Sequence, residues 1–262
     1  MNLKYFRTIL AAGTAFGLSA AAVDVQAAPI LFTGSTGSLA ASVSFDVVDT
    51  TLTMVLSNTS SADVLVPADV LTGVYFSGLS SAQSLSAVLT SGSTVIYDTQ
   101  PPGGIVGGEW SLGTGLSAPN GATAALTSTG AGSLVGQPTF PGDNLGGPVG
   151  LDGLQYGLVS AGDNPATGNG GVTGAEGLIQ NSVTFTLGVA QGFSASNIGN
   201  VSFQYGTSFA EPIVPGTGQC PNGAPNFPIC SQQQTSTPEP MSMGLLGTGM
   251  VALGLLRRRR RA

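Results

Sequence analysis

The chain has 262 residues, with thirteen acidic side chains, seven basic ones and no histidine, and only 8% of it is charged. The basic residues all lie near the ends, Lys4 and Arg7 at one and Arg257, Arg258, Arg259, Arg260 and Arg261 at the other, so positions 28–237 hold no Lys, Arg or His. That excludes serine triads, Schiff-base lysines and histidine-ligated zinc, and it disfavours nucleic-acid binding because nothing in the body can neutralise phosphates.

Met1 to Arg7 is a short basic start, and Thr8 to Ala22 is apolar apart from Gly, Thr and Ser. This order predicts a cleaved secretory signal. Val25-Gln26-Ala27 presents small or medium residues where a signal peptidase needs them, so the cut is expected between Ala27 and Ala28. An ordinary buried helix is the alternative.

From Ala41 to Val47 apolar and polar residues alternate, and the pattern restarts after Asp49-Thr50 with Leu52, Met54 and Leu56. Period two predicts half-buried strands, here paired as a hairpin. Further strands are expected at Val70 to Phe76, Ser84 to Leu89, Thr94 to Tyr97, Val183 to Val189 and Val201 to Tyr205. No part of the body shows sustained helical spacing. The expected fold is all-β, an antiparallel β-sandwich with long Gly-rich loops, with barrel closure as the alternative.

Between Gln100 and Ala175 the composition turns to Gly, Pro, Ser, Thr and Asn, predicting long loops with short strands near Glu109 to Leu112 and Leu154 to Ser160. Asp143, Asn144, Asp152, Asp163, Asn164 and Asn169 offer oxygen donors suited to calcium, but no repeat calcium pattern orders them and turn formation accounts for them equally. Trp110 and Tyr156 are read either as sugar-stacking platforms or as core residues. Glu109, Asp152 and Glu176 are the carboxylates a glycosidase reading would need, with no spacing that picks out a pair. Positions 28–237 hold eleven acids, all thirteen save Asp24 and Glu239, which makes their formal charge −11.

Pro212 to Thr237 is rich in Pro, Gln and Ser and reads as a spacer. Within it Cys220 and Cys230 bracket a turn-rich loop. Outside the cytoplasm they are expected to pair as a disulfide contributing about 2 to 3 kcal/mol, with free thiols as the other reading.

The end of the chain has three parts: Pro238-Glu239-Pro240, sixteen uncharged residues from Met241 to Leu256, and the five arginines. Prolines hold a chain extended, as a protease subsite requires. The apolar run would make a helix of about 24 Å against a hydrocarbon core of about 30 Å. Arginines stay on the cytoplasmic side, which leaves the Pro-Glu-Pro motif outside. These parts, in this order, resemble the PEP-CTERM sorting tail. The resemblance covers Thr237 to Ala262 and implies recognition by an exosortase, a membrane-embedded cysteine transpeptidase of Gram-negative bacteria that make exopolysaccharide. A plain membrane anchor is the alternative. The stretch Val43 to Phe76, with Thr51 to Asn58, is also similar to the opening of sandwich domains common among PEP-CTERM surface proteins.

The expected plan is a signal peptide at 1–27, a β-sandwich domain at 28–211, a spacer at 212–237 and a sorting tail at 238–262. The tail would insert transiently in the inner membrane before the protein reaches the cell surface or extracellular matrix. No catalytic residue, metal or cofactor is expected. The first reading is a non-enzymatic structural or interaction protein of exopolysaccharide or biofilm, with signal peptidase and exosortase as processing partners. The second is a calcium-dependent, lectin-like glycan-binding module.

Overall fold

The computed structural model describes residues 28–146, 151, 153–167, 172 and 177–219. The expected signal segment through Ala27, the Cys220 and Cys230 pair, the Pro238-Glu239-Pro240 motif, the apolar run and the Arg257 to Arg261 cluster lie outside the described residues. Asp152, Asn169 and Glu176 do too. Among the described residues, no helix is long and apolar enough to cross a membrane.

The described chain is all-β. Its strands are β1 (Ile30–Thr36), β2 (Leu39–Val48), β3 (Thr51–Asn58), β4 (Leu71–Ser77), β5 (Gln83–Leu89), β6 (Thr94–Ile96) and β7 (Ser111–Thr114). They continue with β8 (Ala124–Thr127), β9 (Leu158–Val159), β10 (Leu178–Gln180), β11 (Ser182–Gly188), β12 (Gly199–Tyr205), β13 (Ile213–Pro215) and β14 (Thr217–Gln219). A six-stranded sheet runs β14-β1-β2-β3-β11-β5. An eight-stranded sheet runs β13-β12-β4-β9-β10-β6, with β8 paired to β4 and β7 paired to β8. Among the described residues every strand pairing is antiparallel except β9 with β10.

The expected hairpin is β2–β3, in register from Ala41 opposite Asn58 to Val48 opposite Thr51. Asp49 makes its turn with φ of 55°, a left-handed conformation Asp tolerates. Its apolar phase, with Val43, Phe45, Leu52, Met54 and Leu56 fully buried, faces the second sheet. Phe45 meets Phe32 of β1 at 5.8 Å and Phe76 of β4 at 5.5 Å between ring centroids, so one core joins both sheets.

The two sheets differ in what covers their far sides. On the second sheet, Val74 and Phe76 of β4 enter the shared core, while Tyr75 points the other way into a small cluster with Ala122, Ala125, Ala131 and Val135. Beside it, Val70, Val159 and Leu178 pack with Val64, Leu154 and Val172 in another cluster. The Gly-rich excursions therefore fold back as a cover. This is why β4 is buried from Leu71 to Phe76 without alternation, and why the parallel β9–β10 pair occurs here, where both faces are shielded.

Strands β13 and β14 fall within the segment read as a spacer. Pro212, Pro215 and Gly216 disguise them in the sequence, yet β13 pairs with β12 of the second sheet and β14 with β1 of the first. The chain thus changes sheets at Gly216. Gly34 of β1 makes room for the crossing, since a Cβ there would lie 2.5 Å from the Pro215 carbonyl oxygen and 3.1 Å from the Phe203 ring.

Candidate interaction surface

The far side of the six-stranded sheet carries the polar phase of its strands. Register places Leu31, Ser44, Val55, Thr184 and Val88 in one row across β1, β2, β3, β11 and β5. At about 4.8 Å per strand this row spans about 19 Å. A flanking row holds Thr33, Ser42 and Ser57, and the opposite one holds Asp46, Thr53, Thr186 and Ser86, each about 7 Å from the centre. Most of these side chains are partly exposed, and Leu31 reaches 38%. Asp46 is the only ionisable group in the three rows.

Ser and Thr make this surface rigid as well as polar. Their side chains have few rotamers to lose, and Thr favours the pleated backbone. At the β1–β2 end lies an open depression lined by Thr33, Gly34, Ser35, Ala40, Ala41, Thr59, Pro215 and Thr217. At the β11 end the Thr184 and Thr90 hydroxyls lie 2.9 Å apart, tying β11 to the end of β5. The arrangement offers hydroxyl donors and acceptors interleaved with methyl groups.

Of the residues singled out in the Gly-rich loops, Trp110, Tyr156, Glu109, Asp163, Asn144 and Asn164 serve the fold. Trp110 is 0% exposed, with its ring edge-on to Phe185 at 5.0 Å and Phe140 packed on the same Phe185 at 5.4 Å. Tyr156 is 1% exposed, and its Oη donates to Asp98 Oδ2 at 3.1 Å. Burial, then the Asp98 hydrogen bond and charge, then Glu109 push its phenol well above the ordinary range. Neither ring presents a face to a sugar.

Glu109 is also buried, and its Oε1 accepts from the backbone N–H of Leu145 at 2.6 Å and of Gly146 at 3.3 Å. It pins the 140–146 loop, which lies against Gly107 and Gly108 so closely that a Cβ on Gly108 would sit 1.9 Å from the Asp143 carbonyl oxygen. Asp163 is 7% exposed and its Oδ1 accepts from Val64 N–H at 2.7 Å. Asp63 reciprocates, accepting from Asn164 N–H at 3.1 Å and from the Thr167 hydroxyl at 2.8 Å. Asn164 Oδ1 accepts from Ala166 N–H, and Asn144 Nδ2 donates to the Gly146 carbonyl. These side chains close turns and clamp the 61–69 loop to the 161–167 loop. Among the described residues no three carboxylates or thiols gather where a cation would sit.

Reasoning from sequence found the polar phases of β2, β3 and β11 one strand at a time and missed that they form one surface. The signal was there in their composition, since Ser42, Ser44, Thr53, Ser57, Thr184 and Thr186 stand where exposed strands more often carry charge. Comparison with known proteins finds no family model, no curated protein and no solved structure that matches the chain.

Proposed function

We propose that the chain is an exported structural and interaction protein, not an enzyme, in which a β-sandwich is carried to the cell surface or extracellular matrix and held in exopolysaccharide or biofilm. The observation that carries this reading is the distribution of charge. Lys4, Arg7 and Arg257 to Arg261 are the only basic residues, placed where targeting uses them, and the body between is acidic and uncharged by turns. Two sheets over one core support the sandwich, and the open Ser/Thr face gives it a surface for contact. In this reading signal peptidase cuts between Ala27 and Ala28. An exosortase then acts at Pro238-Glu239-Pro240 while the Met241 to Leu256 run and the arginines hold the chain transiently in the inner membrane.

Intact-mass analysis of the protein from the host's envelope and medium, with and without an exosortase, tests it. The expected product begins at Ala28, ends near Pro238-Glu239-Pro240 and appears only when the enzyme is present. A product keeping Arg257 to Arg261 in both strains overturns the sorting step and makes the tail a membrane anchor.

A further inference from the structure

We infer that the far face of the six-stranded sheet docks an uncharged polysaccharide chain. This deepens the matrix reading above and rests on it. The central row alternates methyl-bearing and hydroxyl side chains, Leu31, Ser44, Val55, Thr184 and Val88, and rows of hydroxyls, with Asp46 among them, flank it. A pyranose ring has the matching pair of surfaces, an apolar C–H face and a rim of hydroxyls. The hydroxyls exchange donors and acceptors with Ser and Thr, and the apolar faces cover the methyl groups.

Charge decides among occupants. Positions 28–237 carry eleven acids and no base, so a polyanion is repelled, whether acidic polysaccharide or nucleic acid. A second copy of the chain brings the same charge and is repelled as well. A polycation is drawn to the carboxylates, and within the three rows those number one, Asp46, whereas Asp49, Asp98 and Asp143 are exposed in turns and loops outside the rows. A neutral polymer meets no such opposition.

With Trp110 and Tyr156 buried, the face has no aromatic platform. Each sugar unit is therefore held weakly, and retention grows by repetition along a polymer. The inference thus includes a length dependence: long chains bind and short oligosaccharides do not.

Native-gel affinity electrophoresis of the protein purified from its host tests this, with dextran and hydroxyethyl cellulose as neutral probes, dextran sulfate as anion and diethylaminoethyl-dextran as cation. The wild-type protein should be retarded by a neutral polymer and not by its short oligosaccharides. Val55→Glu and Thr184→Glu, each placing a charge in the central row, should weaken retardation about tenfold, while Ser117→Glu on an exposed loop should leave it unchanged. Circular dichroism melting shows that each variant is folded, and Thr184→Glu stands in if Val55→Glu is not. Absence of retardation by both neutral polymers overturns the inference. So does retardation that both face variants retain, retention by the cationic polymer alone, or a wild-type oligomer in sedimentation that Val55→Glu dissolves, which would give the face to a second copy. A protein recovered from the matrix that fails the gel test overturns the docking face alone, whereas one that never leaves the cell overturns the matrix reading.

Discussion

Replacing Trp110 by alanine separates a core tryptophan from a ligand platform. The side chain is wholly buried against Phe185, and its Nε1–H has no hydrogen-bond partner among the described residues. Truncation exposes or empties about 150 Å² of apolar contact, about 4 kcal/mol at about 25 cal/mol per Å². Removing an unpaired buried N–H returns about 1 to 2 kcal/mol of that. The expected net loss is about 2 to 3 kcal/mol, which lowers Tm by about 5 to 10 °C in a domain of this size. Trp110→Phe removes the same N–H and keeps most of the ring, so its loss should stay under about 1 kcal/mol. Thermal melts by circular dichroism read both. Because Trp110 is the chain's one tryptophan, its fluorescence also reports this site alone, and emission should be blue-shifted and resist acrylamide quenching. An alanine variant that melts like wild type, or a tryptophan quenched as freely as indole in water, would refute the core assignment.

Two further outcomes follow from the loops. Gly108→Ala drives a Cβ into the Asp143 carbonyl and must push the 140–146 loop off its seat, at a cost of about 2 kcal/mol; urea denaturation measures it, and an unchanged midpoint would mean the loop is not held there. Asp163 has a carboxyl raised by burial first and by the Asp63 charge, against a lowering from the Val64 N–H. A raised acid favours the folded state when protonated, so stability is highest below the ordinary carboxylate range and falls as pH rises from there through the elevated folded value. Asp163→Asn keeps an oxygen for Val64 and removes the charge, and its melting temperature should lose that fall between about pH 4 and the elevated value. A fall of the same size in the variant would place its origin elsewhere.

The first sheet was legible because one of its faces is wet. In β2, β3 and β11 the alternation of Val43, Phe45, Met54 and Phe185 with Ser44, Thr53 and Thr184 survives intact. The second sheet was harder because loops cover its far side: β4, expected at Val70 to Phe76, has no polar phase to show which side is covered, and β8 and β10 are four and three residues long, too short for a period to show. Strand β1 hid behind Gly34, whose missing side chain breaks the pattern to admit Pro215. Trp110, Tyr156 and Glu109 sit among glycines and look like loop decoration. Their burial depends on excursions returning over the strands, a long-range event that no local window contains. The candidate surface was hidden differently: the polar phases of β2, β3 and β11 were legible strand by strand, β1 with Leu31 and Thr33 was not, and the common row is a property of register.

The crossing at Gly216 also sets how the molecule yields to tension. Gln219 lies opposite Leu31, so the described chain starts and finishes at the same corner. A pull on the chain beyond Gln219 would open the β14–β1 ladder like a zipper, from Gln219 back through Gly218 to Thr217, one pair at a time. Once past Gly216 the load would reach the other sheet, where Pro215, Val214 and Ile213 hold to β12 as a second ladder. The domain would thus lengthen in two short steps before either sheet's interior bears force.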